Sequence, residues 1–111
     1  MRVSEQFKVD AFTIYEAPIQ GRPGTLDPIN VLLRDFGGAG QVIVECYGAA
    51  WSCWFGAIGP EPLPKFLAGY DEYYLADKLG AVTIRPTARR EQTYLQHIAR
   101  AVIAALKGGA A

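Results

Sequence analysis

Cysteine and histidine are scarce in this sequence, which limits the metal and redox chemistry that it could support. Its 111 residues include two cysteines, Cys46 and Cys53, and one histidine, His97. Structural zinc sites use four ligands at close spacing, such as paired C-x-x-C motifs, and no such motif is present. On one continuous strand the two cysteines would point to opposite faces, so no disulfide is expected between them. We interpret both as reduced, buried side chains, and we predict no metal and no cofactor.

The sequence also lacks an excess of charge of either sign. Eleven basic residues balance eleven acidic ones, whereas a general nucleic-acid-binding protein usually carries a basic excess. We therefore expect no direct contact with nucleic acid. The balance hides a gradient, because residues 85–111 contain five basic residues and one acidic residue, Glu91. Part of this asymmetry should be neutralised where the last segment packs on the rest of the chain.

Long apolar runs are absent as well. The N-terminal stretch MRVSEQFKVD is polar and lacks the apolar segment of a signal peptide. No run approaches the roughly 20 apolar residues that cross a bilayer as a helix. These observations predict a cytoplasmic protein without a membrane partner. The length and the 50% content of hydrophobic residues predict one folded domain over residues 1–111.

Residues that favour strands dominate the first half of the chain. Segments rich in β-branched and aromatic residues predict strands at 7–15, 29–36 and 41–47. The third strand could continue to Phe55, with Gly48 inside it forming a bulge or allowing a close approach of another backbone. A short fourth strand is predicted at 81–86, where an extended segment ends at a proline.

Helical signals follow the strands. Residues 65–69 predict a short helical turn or an entry loop. Asp71 has the position of an N-cap for a helix that ends at Gly80, with Tyr74 and Leu75 facing inward. Apolar residues then recur at helical spacing from Tyr94 to Leu106, after a candidate N-cap at Thr87 and before Gly108-Gly109. We predict an α+β fold in which a three-stranded, or four-stranded, antiparallel sheet is covered on one face by a short helix and a long amphipathic C-terminal helix.

Nucleophilic catalysis has few candidate residues. Cys53 or Ser52 could act with His97, but a glycine does not stand two residues to either side of Ser52, as the nucleophile elbow requires. The glycines at 37–40 precede a strand and lack a following Lys-Ser/Thr, so they predict a hairpin turn rather than a phosphate loop. We predict that the protein is not an enzyme.

Aromatic residues are concentrated in the stretch ECYGAAWSCWFGAIG, at residues 45–59. On a strand, Trp51, Cys53 and Phe55 would share one face with Tyr47, and Trp54 would lie on the other. One interpretation makes all of these rings core. The other leaves an aromatic surface with acidic neighbours, as in protein interfaces. On the second interpretation, the predicted partner-binding residues are Trp54, Tyr70, Asp71, Glu72 and Tyr73.

Part of the sequence resembles small proteins carried by phages and prophages. The pattern comprises CYGAAW at 46–51, WFGAIG at 54–59, Phe66 and the segment DEYYLADKL at 71–79. The order Trp54-Phe55 departs from the aromatic-Trp pair of the pattern. The resemblance implies a viral context without an assigned chemistry. Small phage proteins that lack an active site are often inhibitors of host defence, anti-CRISPR proteins among them.

These observations support more than one function. The first hypothesis is a phage-type protein in the host cytoplasm that binds and inhibits a host protein, such as a CRISPR or other defence complex, by occluding a surface. The alternative is a module that binds a small ligand or nucleotide in an aromatic pocket. Homodimerisation through the aromatic surface or the last helix is compatible with both.

Overall fold

The chain forms a four-stranded antiparallel sheet with helices packed on one of its faces. The computed structural model describes residues 1, 7–81 and 89–110. The strands come first: β1 (Lys8–Ile14), β2 (Ile29–Asp35), β3 (Gly40–Cys46) and β4 (Ala49–Phe55). The helices follow: α1 (Leu63–Ala68), α2 (Glu72–Gly80) and α3 (Arg89–Lys107). The predicted α+β arrangement is therefore confirmed, and the strands lie in the order β1-β2-β3-β4 across the sheet.

Alternating burial along the strands defines the face that the helices cover. In β3, every second residue from Gly40 to Cys46 is buried, as expected for a strand with one face on the core. The buried residues of the neighbouring strands are Ile29, Val31 and Leu33 in β2, and Trp51, Cys53 and Phe55 in β4. The antiparallel register places these residues in rows under the helices.

A two-residue turn at Tyr47-Gly48 separates β3 from β4, so the third predicted strand does not continue to Phe55. Tyr47 has φ 52° and Gly48 has φ 79°, the backbone that tight hairpin turns of type I′ require. The predicted bulge at Gly48 is therefore wrong. Because the chain reverses here, Cys46 and Cys53 lie on the same face of the sheet, and the prediction of opposite faces is also wrong. Both are buried free cysteines.

The two short helices begin at recognisable N-terminal signals. In α1, which follows Pro62, Leu63 and Leu67 are fully buried. At the start of α2, the Asp71 carboxylate accepts hydrogen bonds from the backbone N–H groups of Tyr73 (2.8 Å) and Tyr74 (3.2 Å), which confirms the predicted N-cap.

The inward face of α2 differs in part from the prediction. Leu75 is fully buried as predicted, but the side chain of Tyr74 is 64% exposed. Leu75, Ala76 and Leu79 form the buried side of this helix, and successive helical residues point about 100° apart, so Tyr74 is turned away from the core. The helix ends at Gly80, as predicted.

The C-terminal helix α3 supplies the longest apolar stripe of the fold. Leu95, Ile98, Ala99, Val102, Ile103 and Leu106 are buried along it. The helix ends before Gly108-Gly109, and Gly109 has the positive φ (86°) typical of a residue after a helix end. The candidate N-cap Thr87 and most of the strand predicted at 81–86 lie outside the described residues. The fourth strand of the sheet is β4.

Aromatic contacts join the sheet to the helices. Trp51 is 9% exposed, its ring centroid lies 6.1 Å from that of Tyr94 in α3, and its Nε1–H donates to Glu91 Oε1 (3.2 Å). At the other end of β4, the Phe55 ring packs edge-on against Phe66, with the centroids 5.4 Å apart. One of the two tryptophans therefore fills the core beneath the last helix, as predicted.

Candidate functional site

The face of the sheet opposite the helices is the first candidate surface, and we call it the open face. The register aligns residues of the four strands in three rows across it. The middle row consists of Ala11, Leu32, Ile43 and Ser52. Leu32 and Ile43 are both partly exposed, and a shallow depression of about 430 Å³ lies over them. None of the described helices covers this row, so apolar surface is accessible at its centre.

One end of the open face is aromatic. The Phe36 ring lies between Phe7, 4.9 Å away between centroids, and Trp54, 5.6 Å away. The guanidinium carbon of Arg34 stands 4.5 Å from the Phe7 centroid and 5.1 Å from that of Phe36, a cation–π arrangement that favours a fixed position of the charge. Trp54 is 52% exposed. A large ring is therefore available at this end, beside a cation whose hydrogen bond goes to the neutral side chain of Gln41 (2.7 Å).

The other end of the open face is polar and internally hydrogen-bonded. Thr13 Oγ1 donates to Asn30 Oδ1 (2.7 Å), and Asn30 Nδ2 donates to Glu45 Oε1 (2.8 Å). The second oxygen of Glu45 accepts from the backbone N–H of Gly48 at the β3–β4 turn (3.1 Å). Because these groups satisfy one another, they give this end a fixed geometry and little unpaired hydrogen-bonding capacity.

The structure separates the five predicted partner-binding residues into two groups. Trp54 lies on the open face, with Phe36 as its ring neighbour. Tyr70, Asp71, Glu72 and Tyr73 lie at and before the start of α2, on the helical side of the sheet. Of these four, Tyr73 has the most exposed large apolar surface, at 51%. The exposed rings are thus divided between two sides of the molecule.

Tyr70 belongs mainly to the packing between α1, α2 and β4. Its ring lies edge-on to Phe55, with centroids 5.1 Å apart, and 5.5 Å from Phe66. Burial raises the pKa of its hydroxyl, with further contributions from Cys53 and Asp71. Only the outer edge of this ring is available for contact with another molecule.

The acidic residues around α2 are engaged within the molecule. Asp71 caps the helix, and Glu72 Oε1 forms an ion pair with Arg100 Nε in α3 (3.1 Å). Asp77 Oδ1 accepts from Gln92 Nε2 (2.7 Å). The bonds of Glu72 and Asp77 hold α2 on α3. The ion pair of Glu72 with Arg100 neutralises part of the positive charge of the last segment within the molecule.

The residues considered for nucleophilic catalysis lie in different environments. Ser52 is on the open face and His97 is on α3, which packs on the other side of the sheet. Cys53 is buried among core residues, and its burial raises the pKa of the thiol to about 11, partly offset by Lys78. A thiol with such a pKa is almost entirely protonated at neutral pH, which makes it a poor nucleophile.

A cavity between the β1–β2 connection and α3 is the second candidate site. Its volume is about 940 Å³, and its lining comes from residues 19–27 and from α3 residues between Arg90 and His97. The sequence predicted only a connection between the strands at 7–15 and 29–36, and α3 only as a helix. Nothing in either segment signals that the two meet, because the β1–β2 connection and the first turns of α3 are more than 60 residues apart in the sequence.

The titratable side chains in and beside this cavity have different electrostatic surroundings. Cys46 is fully buried outside the lining, where its Sγ lies 2.9 Å from the Tyr94 hydroxyl and donates to the backbone carbonyl of Asp27 (3.5 Å). Burial raises the pKa of both Cys46 and Tyr94, and the nearby carboxylate of Asp27 raises both further. One helical turn beyond Tyr94, burial lowers the pKa of His97, and the positive charges of Arg100 and Arg22 lower it further.

The described part of the chain contains no cluster of three His, Cys, Asp or Glu side chains placed to hold a metal ion. None of its helices combines the length and the apolar character needed to cross a bilayer.

Comparison with known proteins places the chain in a viral context. The family model Phage_phiTE_072, described as a phage family, matches residues 7–109, which include all seven helices and strands described above. The chain has no match among curated proteins or solved structures. Since the match spans nearly the whole sequence, the chain belongs to this phage family.

Proposed function

We propose that this phage protein binds a host protein through the open face of its sheet and inhibits that protein by occluding its surface. The target class would be a host defence component, such as a CRISPR effector, met in the host cytoplasm. The observation that carries the proposal is the exposure of Trp54, beside the ring of Phe36, on a sheet face that no described helix covers.

The composition of the open face resembles that of a protein interface. Interfaces concentrate their binding energy in a few aromatic and arginine residues surrounded by polar groups. Here Trp54 and Arg34 stand at the aromatic end, Leu32 and Ile43 form the apolar centre, and the hydrogen-bonded row through Asn30 forms a polar border. A partner that presents an apolar surface with a carboxylate opposite Arg34 would complement this pattern.

The other four predicted contact residues differ in whether they are free to contact a partner. Tyr73 is exposed enough to form a second contact on α2. Tyr70, Asp71 and Glu72 already have partners inside the protein, so substituting any of them would change stability as well as binding. The test of the open face should therefore rest on Trp54, and Tyr73 tests separately whether α2, on the helical side, is also contacted.

The proposal is tested by capture followed by measurement. Immobilised protein is incubated with host lysate, the retained protein is identified and purified, and its Kd and activity are measured. We expect Trp54→Ala to weaken binding by about 30-fold, the effect of losing a hot spot worth about 2 kcal/mol. The activity of the captured protein should fall on addition of the wild type and much less with the variant.

Two further variants locate the contact. Tyr47→Ala removes a ring that is 83% exposed at the turn, at the opposite end of β4 from Trp54, and should leave Kd within about twofold. Tyr73→Ala tests α2 separately. Wild-type affinity of Trp54→Ala, or the absence of any partner with a Kd below about 1 μM, would refute the proposal.

A second copy of the chain is the competing occupant of the open face. Sedimentation at two protein concentrations distinguishes it. If the wild type dimerises and Trp54→Ala is monomeric, the open face is a homodimer interface and the host-protein proposal for this face is overturned. If both sediment as monomers, the face is available to a different protein.

A further inference from the structure

The cavity between the β1–β2 connection and α3 lies on the helical side of the sheet and is independent of the open face. At about 940 Å³ it falls within the range of small-molecule sites. Ile19 and Leu26 contribute apolar side chains from the connection, and Tyr94 contributes its ring from α3. Such walls suit the apolar body of a small organic molecule.

The loop wall is held in place by its own bonds and packing. The backbone N–H of Leu26 donates to the carbonyl of Ala17 (2.8 Å), and both residues are buried. An isolated β-bridge pairs Pro18 with Thr25. The residues between these anchors therefore form a closed loop whose base is fixed, so the cavity is largely formed before any ligand enters.

Three basic side chains line the cavity. Arg22 comes from the loop, while Arg90 and His97 come from α3 and lie about two helical turns apart. The charge of Arg22 is close enough to His97 to lower its pKa. Within the described part of the chain, neither Arg22 nor Arg90 forms an ion pair, whereas Arg100, next to His97, is paired with Glu72. The unpaired guanidinium group of Arg22 is thus available near His97 to bind an anion, and that of Arg90 lies further along the wall.

The hydrogen bond of His97 fixes which ring nitrogen can donate. Arg100 Nη1 lies 3.2 Å from His97 Nδ1. Arginine remains protonated and can only donate, so Nδ1 accepts this bond and the neutral ring carries its proton on Nε2. The ring therefore has one N–H donor left, and that donor adds to those of Arg22.

Two acidic residues, Asp27 and Glu91, also line the cavity. Glu91 accepts the indole N–H of Trp51. Asp27 influences Cys46 and Tyr94, whereas Arg22 and Arg100 influence His97. An anionic group would be repelled by Asp27 and attracted to Arg22 beside His97.

We propose that this cavity binds a small organic anion, with its carboxylate or phosphate group between Arg22 and His97 and its apolar body against Ile19, Leu26 and Tyr94. The site does not depend on the proposed host-protein interface, and either could exist without the other.

The experiment uses the intact protein with phenyl phosphate, phenylacetate and adenosine monophosphate as probes, and benzyl alcohol and inorganic phosphate as comparisons. His97 is the single histidine of the chain, so its imidazole proton resonance reports on the cavity without ambiguity. We expect at least one organic anion to raise the melting temperature, as ligands of the folded state do, and to raise the pKa of His97 by offsetting the charges of Arg22 and Arg100.

The probes identify the anionic group and the size of the body. Preference for phenyl phosphate over phenylacetate would assign a phosphorylated ligand, and the reverse a carboxylate. Tighter binding of adenosine monophosphate than of phenyl phosphate would indicate a nucleotide-sized body. Benzyl alcohol binding as tightly as the anions would overturn the assignment of an anion site, as would inorganic phosphate matching the organic probes at equal ionic strength.

Variants of neighbouring arginines provide the matched control. Arg22→Ala should weaken probe binding by about tenfold or more, the loss of a charge-assisted contact worth at least about 1.4 kcal/mol. Arg90→Ala, about two helical turns from His97, should weaken it less. Arg89→Ala removes an exposed arginine next to Arg90 that does not line the cavity, and it should bind the probes like the wild type. Equal affinity of all three variants, or no probe changing the His97 resonance, would refute the proposal.

Discussion

At the scale of single residues, Gly40 shows how closely the helical layer approaches the sheet. A Cβ atom at this buried position would lie 2.7 Å from Leu63 Cδ2 and 3.2 Å from the carbonyl oxygen of Arg34. Both distances are shorter than ordinary van der Waals contact, so the side chain at the start of α1 occupies the space that any larger residue would need. Glycine is therefore required here for packing rather than for an unusual φ.

We predict that Gly40→Ala lowers the free energy of unfolding by about 1–3 kcal/mol, the usual cost of overpacking. Gly56→Ala is the matched control, because its Cβ would meet nothing closer than Trp54 Nε1 at 3.5 Å, and its effect should stay within about 0.5 kcal/mol. Denaturant unfolding of the two variants measures both values. Equal stability of the two would show that Leu63 moves aside without cost.

The burial of Cys53 predicts how the free energy of unfolding depends on pH. Burial raises the pKa of Cys53 from 9.0 to about 11, so the unfolded chain loses its thiol proton at lower pH than the folded chain. The stabilising contribution is present below pH 9 and is lost as the pH rises to about 11. The unfolding free energy of the wild type should therefore fall more steeply over this window than that of Cys53→Ala, in which the thiol is absent. Parallel curves would contradict the assignment.

At the scale of secondary-structure elements, the role of Asp71 as the N-cap of α2 can be tested apart from its predicted role in binding. We predict that Asp71→Ala destabilises the protein by about 1 kcal/mol, because the N–H groups of Tyr73 and Tyr74 lose their acceptor. Asp71→Asn keeps an acceptor oxygen and should retain most of the stability. Thermal unfolding of both variants measures this difference. If Asp71→Asn is as unstable as Asp71→Ala, the charge rather than the cap stabilises α2.

The elements that sequence predicted well are those whose signal is local. The period of apolar residues in α3 and the capping position of Asp71 are each contained in a few neighbouring residues. The β3–β4 turn was missed because Tyr47 adopts φ 52° in a position where Asn or Asp is the usual signal. Missing that turn also reversed the expected side of Cys46, since one residue of register moves a side chain to the other face.

The candidate sites were less predictable because they join distant segments. Trp54 was identified as a ring opposite the core, but its neighbours Phe7 and Phe36 come from other strand ends, brought together by the meander. Sequence proximity instead suggested Tyr70 and Tyr73, which pack on the helical side. The cavity shows the same limit, because Arg22 and His97 converge only when α3 packs beside the β1–β2 connection.

At the scale of the whole molecule, the two tryptophans report on opposite sides of one strand. Trp51 is buried under α3, and Trp54 is exposed on the open face. The buried residues of sheet and helices form one continuous cluster, so the two sides should lose their structure together, as small domains with a shared core usually do. This matters for the proposals above, since a variant at either site could otherwise act by loosening only its own side.

We predict that the single-tryptophan variants Trp51→Phe and Trp54→Phe each unfold in one transition, with tryptophan fluorescence and far-ultraviolet circular dichroism giving the same midpoint within each variant. Comparing the two midpoints within one variant avoids the effect of stability differences between the variants. Trp51→Phe should lose more stability than Trp54→Phe, because the bond to Glu91 is lost. In the native state, acrylamide should quench the fluorescence of Trp51→Phe, which retains the exposed Trp54, more than that of Trp54→Phe. A fluorescence midpoint for Trp54→Phe below its circular dichroism midpoint would mean that α3 separates from the sheet before the strands unfold. The cavity, which needs both, would then be lost in a partly folded state.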